Sequence, residues 1–77
     1  MTLYVGGLPA HYDKKKLGQL FDPFGVIHET RLITNEDGQC RGFAYVTFVD
    51  DLAAAKARVA LDGKLLEGQT LRVALAT

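Results

Sequence analysis

The stretch R-G-F-A-Y-V-T-F, from Arg41 to Phe48, decides the fold of this chain. Successive side chains of a β-strand point to opposite faces, and the residues of this stretch alternate in character. One face carries small or apolar side chains that suit a core, namely Gly42, Ala44, Val46 and Phe48. The other carries a cation, two aromatic rings and a hydroxyl, namely Arg41, Phe43, Tyr45 and Thr47. Because the second face of a half-buried strand is normally polar, the two rings are unexpected there.

Aromatic rings on an open sheet face form a surface on which nucleic-acid bases stack, since every base has a flat π-face. A nearby arginine adds a positive charge for phosphate. The pattern therefore predicts a stacking surface with Phe43 and Tyr45 as its rings and Arg41 as a phosphate contact.

The composition sets bounds on this prediction. The chain has 77 residues, no net charge and 48% hydrophobic residues, which is enough for one small core. Since phosphate neutralisation supplies much of the affinity for nucleic acids, the absence of net charge predicts modest affinity. A single cysteine, Cys40, excludes an internal disulfide and is expected in a turn, and His11 and His28 lack metal-ligand spacing. We expect no cofactor, no metal and, because no apolar run approaches roughly 20 residues, no membrane span.

The residues before the octapeptide predict a strand, a helix and a second strand. The first strand is Thr2 to Gly6, and Asp13 is placed to cap a helix that runs to about Phe21. The second strand is Val26 to Ile33, whose imperfect alternation predicts a bulge near Glu29. The polar turn that follows contains Asp-Gly, which is typical of a hairpin.

The residues after it predict a second helix and a last strand. Asp50 or Asp51 caps an alanine-rich helix to about Leu61, which ends at an Asp-Gly pair. A short hairpin over 64–69 and a strand over 70–75 complete the chain. The order βαββαβ predicts an α+β, ferredoxin-like fold: a four-stranded antiparallel sheet with both helices on one face and the other face open. We expect residues 1–77 to form a single domain.

A second motif adds another ring to the stacking surface. The hexapeptide L-Y-V-G-G-L, from Leu3 to Leu8, resembles the pattern [ILV]-[FY]-[ILV]-x-N-L, with Gly7 at the position usually held by asparagine. With the octapeptide it resembles the motif pair of the RNA recognition motif (RRM) family, and F-D-P-F-G-V-I and L-E-G-Q-T-L-R-V resemble two further segments of that family. The ending L-R-V-A-L-A is similar to the RRM of cyclophilin E-type peptidyl-prolyl isomerases, whose catalytic domain has no counterpart here.

The resemblance implies that the first and third strands are central neighbours, so that three rings lie side by side. It implies that Tyr4 stacks one base, that Phe43 or Tyr45 stacks the next, and that the remaining ring packs against sugars. Arg41 would contact phosphate. We expect loose specificity for about two to four nucleotides of single-stranded RNA, as is typical of the module.

Further contacts are expected around the rings. Arg72 and Arg31 should face the same side, Arg31 only if the bulge is present. Glu29 would repel phosphate or accept a hydrogen bond from a base amine. In the family, groups after the last strand choose the sequence; that extension is expected to be absent or very short here, and Ala76 offers no side-chain donor.

Two other functions are weighed against RNA binding. The scaffold also serves as a protein-interaction module in some RRMs, through the helical face, and the zero net charge keeps this alternative open. An acylphosphatase-like enzyme would need an arginine loop and a positioned asparagine, and the one asparagine, Asn35, lies in a polar turn. We therefore expect no enzyme activity. The resemblance implies a monomer with a role in RNA processing or post-transcriptional regulation, working beside other proteins or domains in the nucleus, or else in the cytoplasm.

Overall fold

The architecture follows the predicted order. The computed structural model describes residues 1–76, so Thr77 lies outside the described residues. The elements are β1 (Thr2–Gly6), α1 (Lys14–Phe21), β2 (Ile27–Thr34), β3 (Cys40–Phe48), α2 (Asp51–Leu61), β4 (Leu65–Leu66), β5 (Gln69–Thr70) and β6 (Arg72–Leu75). A 3-10 turn over Asp22–Phe24 follows α1. Four strands form an antiparallel sheet in the order β2-β3-β1-β6, and β4 pairs with β5 in a separate hairpin. The α+β, ferredoxin-like prediction is confirmed.

Both helices begin at aspartate caps. The Asp13 carboxylate accepts a hydrogen bond from the Lys16 backbone N–H at 2.8 Å, and the Asp50 carboxylate accepts one from the Leu52 N–H at 3.0 Å. These carboxylates satisfy backbone donors that have no partner within the helix. Asp50, not Asp51, is therefore the cap of α2. At the other end Gly63 follows the C-cap with φ +86°, a conformation that glycine adopts without a Cβ clash.

The core lies between the sheet and the two helices. The inner face of the sheet supplies fully or almost fully buried side chains, namely Leu3, Val5, Ala44, Val46, Phe48 and Val73. The helices supply Leu17, Phe21, Ala53, Ala54, Ala57 and Leu61. The small alanines let α2 approach the sheet closely, whereas Phe21 and Phe48 fill the wider space with ring centroids 6.2 Å apart. Because side chains alternate along each strand, one face of the sheet packs against the helices and the other is exposed to solvent.

The bulge predicted near Glu29 is present in β2. Ile27 lies opposite Phe48 and Glu29 lies opposite Thr47, so that His28 is an additional residue with no partner of its own. The extra residue shifts the alternation by one position. Ile27 therefore faces the core, while Glu29 and the residues that follow it at every second position face outward.

The bounds of three strands differ from the sequence prediction. β2 begins and ends one residue later than expected. β6 begins at Arg72 because Thr70 pairs with Leu65 in the hairpin, and Leu71 donates to the Lys64 carbonyl at 2.8 Å. Cys40 is not a turn residue: it begins β3 and is only 4% exposed, because the hairpin turn ends one residue before it.

Gly7 stands where the family pattern has asparagine, and its backbone conformation and surroundings suit glycine. Its φ is +80°, and a Cβ at this position would lie 2.3 Å from the Thr70 carbonyl oxygen. The backbone after β1 therefore runs against the backbone before β6 at a distance that no side chain allows. With the backbone in this position, an asparagine at residue 7 would clash with the Thr70 carbonyl oxygen.

Candidate nucleic-acid interface

The outer face of the sheet, opposite the helices, carries the predicted site. Residues directly opposite each other in an antiparallel sheet share a face. One row crosses all four strands, from Arg31 through Tyr45 and Tyr4 to Ala74. Two of the predicted rings are thus cross-strand neighbours at the centre of the sheet, with a cation at one end of their row.

Two further rows flank the first. On one side lie Phe43, Gly6 and Arg72. On the other side lie Glu29, Thr47 and Thr2. The Thr2 and Thr47 hydroxyl oxygens are 2.8 Å apart and share a hydrogen bond. Six of the eight predicted site residues are accordingly placed on this face by the register of the sheet: Tyr4, Phe43, Tyr45, Arg72, Arg31 and Glu29.

Tyr4, Phe43 and Tyr45 form a contiguous group, which we call the ring cluster. The ring centroid of Tyr4 is 6.2 Å from that of Phe43 and 5.9 Å from that of Tyr45, and the remaining pair is 6.4 Å apart. The planes of Tyr4 and Phe43 differ by 30°, whereas Tyr45 is inclined at 64° to Tyr4 and 88° to Phe43. All three side chains are half-buried, so the cluster is accessible. The predicted adjacency of the rings is confirmed.

The predicted cations surround the ring cluster but differ in their neighbours. Arg31 is exposed at the β2 edge of the central row. Arg72, at the opposite edge, has its Nε 3.9 Å from Asp62 Oδ1, an atom that also accepts a hydrogen bond from the Val73 N–H. Because this arginine is 76% exposed, its ion pair is weak and leaves the guanidinium able to turn toward a ligand.

Arg41 lies at the end of the sheet, beside the β2–β3 loop. With Thr34, Asn35, Glu36 and Asp37 it lines an open depression of about 630 Å³. Two carboxylates near this arginine oppose its attraction for phosphate. The contact of Arg41 with phosphate stays a prediction.

Ala76 lies just beyond the last strand. Its backbone N–H donates to the Thr2 carbonyl at 2.9 Å, so the chain continues alongside β1 after β6 ends. Its side chain is exposed.

The sequence prediction omitted three residues of this face. Thr2 and Thr47 form the hydroxyl pair next to the rings. Ile33 follows Arg31 by two positions, and it is half-buried without belonging to the core between sheet and helices. Period-two alternation past the bulge would have identified Ile33, since it gives every second residue after Glu29 the same face.

A polar cluster lies on the helix side, where the loop before α1 meets the β4–β5 hairpin. Lys16 Nζ donates to His11 Nδ1 at 3.2 Å, and His11 Nε2 donates to Glu67 Oε1 at 2.7 Å. Burial, and then the negative charge of Glu67, raise the pKa of Tyr12 above its ordinary value.

Within residues 1–76, no group of three or more His, Cys, Asp or Glu side chains is arranged to bind a metal. No helix in the same range is long and apolar enough to cross a bilayer.

Comparison with known families agrees with the geometry of the sheet. A model of the RNA recognition motif family matches residues 3–72. The chain belongs to the RNA recognition motif family. The RRM homologues include RNA-binding proteins, among them structures in complex with RNA.

Three relatives illustrate the range. Glycine-rich RNA-binding protein 4, mitochondrial, of Arabidopsis thaliana is 42% identical over 97% of this chain and 56% of its own length. Spliceosome associated factor 3, U4/U6 recycling protein, of Danio rerio is 38% identical over 96% of this chain and 8% of its own length. The solved SXL-lethal protein/RNA complex has a TM-score of 0.91 and 32% identity, over 97% of this chain and 47% of that one.

The chain thus spans between about a twelfth and just over half of these relatives. Their names include both a mitochondrial and a spliceosome protein, so the expected nuclear location stays a prediction. The similarity to cyclophilin E-type RRMs also stays a prediction.

Proposed function

We propose that this chain is one RRM domain that binds single-stranded RNA by stacking bases on the ring cluster. The proposal rests on one observation: three aromatic rings lie within 6.4 Å of one another on the accessible face of the sheet, where nothing in the core requires them. Rings that served packing alone would lie in the core, as Phe21 and Phe48 do. The chain acts as a binding module and not as an enzyme.

Two of the three rings each stack one base, and the third ring packs against sugar. Tyr4 stacks the first base, because it is at the centre of the sheet and touches both other rings. Phe43 or Tyr45 stacks the second base, and the remaining ring packs against sugar. The small angle between Tyr4 and Phe43 favours Phe43 as a second stacking ring, whereas the cross-strand position favours Tyr45. Single substitutions of these two residues distinguish the alternatives.

The charged residues orient the strand across the rings. Arg31 and Arg72 lie at opposite edges of the sheet and contact phosphates on either side of the stacked bases. Arg41 adds a weaker contact beside the acidic loop. Glu29, in the row next to the central one, accepts a hydrogen bond from a base amine, and the hydroxyl pair of Thr2 and Thr47 lies in the same row.

Stacking of two bases contributes roughly 2–6 kcal/mol, at about 1–3 kcal/mol per base. After the cost of association this supports weak binding of about two to four nucleotides with loose sequence preference. Past the last strand, Ala76 offers a contact to RNA through its backbone carbonyl, because its N–H donates to the Thr2 carbonyl. The domain works as a monomer beside other domains or proteins, in RNA processing or post-transcriptional regulation, with the nucleus as the proposed location.

The test is titration of short single-stranded RNA oligomers into Tyr4→Ala and Phe43→Ala variants. We expect affinity to fall by about tenfold or more for Tyr4→Ala, because one stacking contact is lost. Tyr4→Phe is the matched control, since it keeps the ring and should keep most of the affinity. Denaturation curves should place the Tyr4 variants close to the wild-type stability. Unchanged affinity in Tyr4→Ala would refute stacking on the ring cluster.

A protein-interaction role is the second candidate, and a specific surface favours it. Four apolar side chains beside α2 are 60–75% exposed: Val26, Val49 and Leu52 line one depression, and Val59 lines a second one that shares Phe24 with the first. Exposed apolar residues that are contiguous mark interaction surfaces more often than isolated ones do. Chemical-shift mapping with an RNA pool distinguishes the candidates: RNA binding changes the signals of β1 and β3, whereas changes confined to α2 would favour a protein partner.

A further inference from the structure

Gly6 lies on the outer face of the sheet and is nevertheless buried. It is flanked by Phe43 on β3 and Arg72 on β6, and it follows Tyr4 by two positions on the same face of β1. The cover comes from the Tyr4 side chain. A Cβ placed on Gly6 would lie 2.7 Å from the Tyr4 hydroxyl oxygen and 3.1 Å from two carbons of its ring. The outer half of the tyrosine ring therefore occupies the space that a side chain at Gly6 would fill.

The backbone does not explain why this residue is glycine. Gly6 is the last residue of β1, is paired with both neighbouring strands, and has none of the left-handed φ values that distinguish Gly7. An alanine could adopt the same conformation without strain. The steric conflict that it would create is with the movable Tyr4 ring and not with backbone, in contrast to Gly7, whose Cβ would meet the Thr70 carbonyl.

We propose that Gly6 is a positioning residue for RNA binding. Because it has no side chain, the Tyr4 ring can lie against the sheet at this position, beside Phe43 and Tyr45. This inference rests on the proposed function and adds to it the position that sets the orientation of the central ring. A methyl group at Gly6 displaces the Tyr4 ring from this position and changes its orientation relative to Phe43, so that the surface on which a base stacks is altered. Affinity is then lost while every ring remains present.

A double-mutant cycle tests whether Gly6 acts through the Tyr4 ring. We expect Gly6→Ala to weaken binding of a short single-stranded RNA by about threefold to tenfold, a part of the stacking contribution of one base. In a Tyr4→Ala background the same substitution should have little further effect, because the ring that it displaces is gone. Gly18→Ala is the control for an added methyl group, since no atom lies within 4 Å of its Cβ position in α1. Equal losses in both backgrounds, or no loss in the wild-type background, would overturn the proposal.

A measurement on the unmodified protein covers the case in which Gly6→Ala fails to fold. NMR should show a ring-current shift of a Gly6 Hα and nuclear Overhauser effects between that proton and the Tyr4 ring, both of which should vanish in Tyr4→Ala. Absence of these signals in the wild type would also overturn the proposed position of the Tyr4 ring against Gly6. If the wild type shows them but binds no RNA, the proposed function fails and the role of Gly6 in binding fails with it, whereas the ring position is retained. The two failures are thereby distinguished.

Discussion

The two faces of the sheet are built from the same strands, yet they relate to water in opposite ways. The inner face places Leu3, Val5 and Val46 at 0% exposure against the helices, whereas the rings of Tyr4 and Tyr45, one residue away along the same strands, remain accessible. Burial of apolar surface contributes most of the folding free energy, so the inner face fixes the register of the strands. The outer rings are then held in position by a backbone that does not depend on them. Stability and binding should therefore be separable by substitution.

The largest expected effect is on the inner face. Phe48→Ala should lower the free energy of unfolding by about 3–5 kcal/mol, because it removes a ring that is 2% exposed and leaves a cavity next to Phe21. Chemical denaturation measures the change. Phe48→Leu, with a smaller loss of volume, keeps the measurement possible if the alanine variant does not fold. The neighbouring Val49→Ala is the control, since that side chain is 66% exposed and should shift stability by no more than about 0.5 kcal/mol. A loss of RNA affinity in folded Phe48→Leu at a temperature well below its transition would contradict the separation of the faces.

The next largest effect concerns the close approach between the Gly7 backbone and the Thr70 carbonyl oxygen. Gly7→Ala should lower the free energy of unfolding by about 1–3 kcal/mol, because it combines a left-handed φ with a clash against the Thr70 carbonyl oxygen. Gly38→Ala is a matched control, since Gly38 has a similar φ of +87° but no atom within 4 Å of its Cβ position. The difference between the two variants measures the close approach alone. Equal destabilisation by thermal denaturation would show that Gly7 is required for its φ only.

The smallest effect is electrostatic and belongs to the outer face. Arg31→Gln should reduce the dependence of log affinity on log salt by about 0.7, the value for one phosphate contact to a single strand. Lys15→Gln removes the same charge from α1, whose buried residues Leu17 and Phe21 pack toward the inner face. It should leave that dependence nearly unchanged. Titrations at three or more salt concentrations provide the comparison, and equal changes in the two variants would argue against a localised phosphate contact at Arg31.

Much of the fold was predictable because its signals are local. Asp13 and Asp50 cap helices through hydrogen bonds that span two or three residues, and the alternation of β3 assigns its faces without any tertiary information. The bulge near Glu29 was also predictable, since an extra residue breaks the alternation visibly. The errors occurred where a distant partner decided the outcome. Thr70 leaves the last strand because it pairs with Leu65.

The candidate site was predictable to a similar extent. Alternation and the two motifs identified Tyr4, Phe43 and Tyr45 and their adjacency, and their contact with RNA stays a prediction. Distances and angles between the rings could not be predicted, because they depend on how separate strands meet. Ile33 was missed although the pattern after the bulge contained it.

The sequence by itself determined which side chains lie on the core face and which face water, because the period of a strand is a property of its own backbone. It also determined the order of elements and the caps that begin the helices. The tertiary structure alone decided that Tyr4 covers Gly6 and that Gly7 lies against the Thr70 carbonyl. These contacts join residues whose distance depends on side-chain rotamers and on the register between strands, neither of which is encoded in the spacing of residues along the chain.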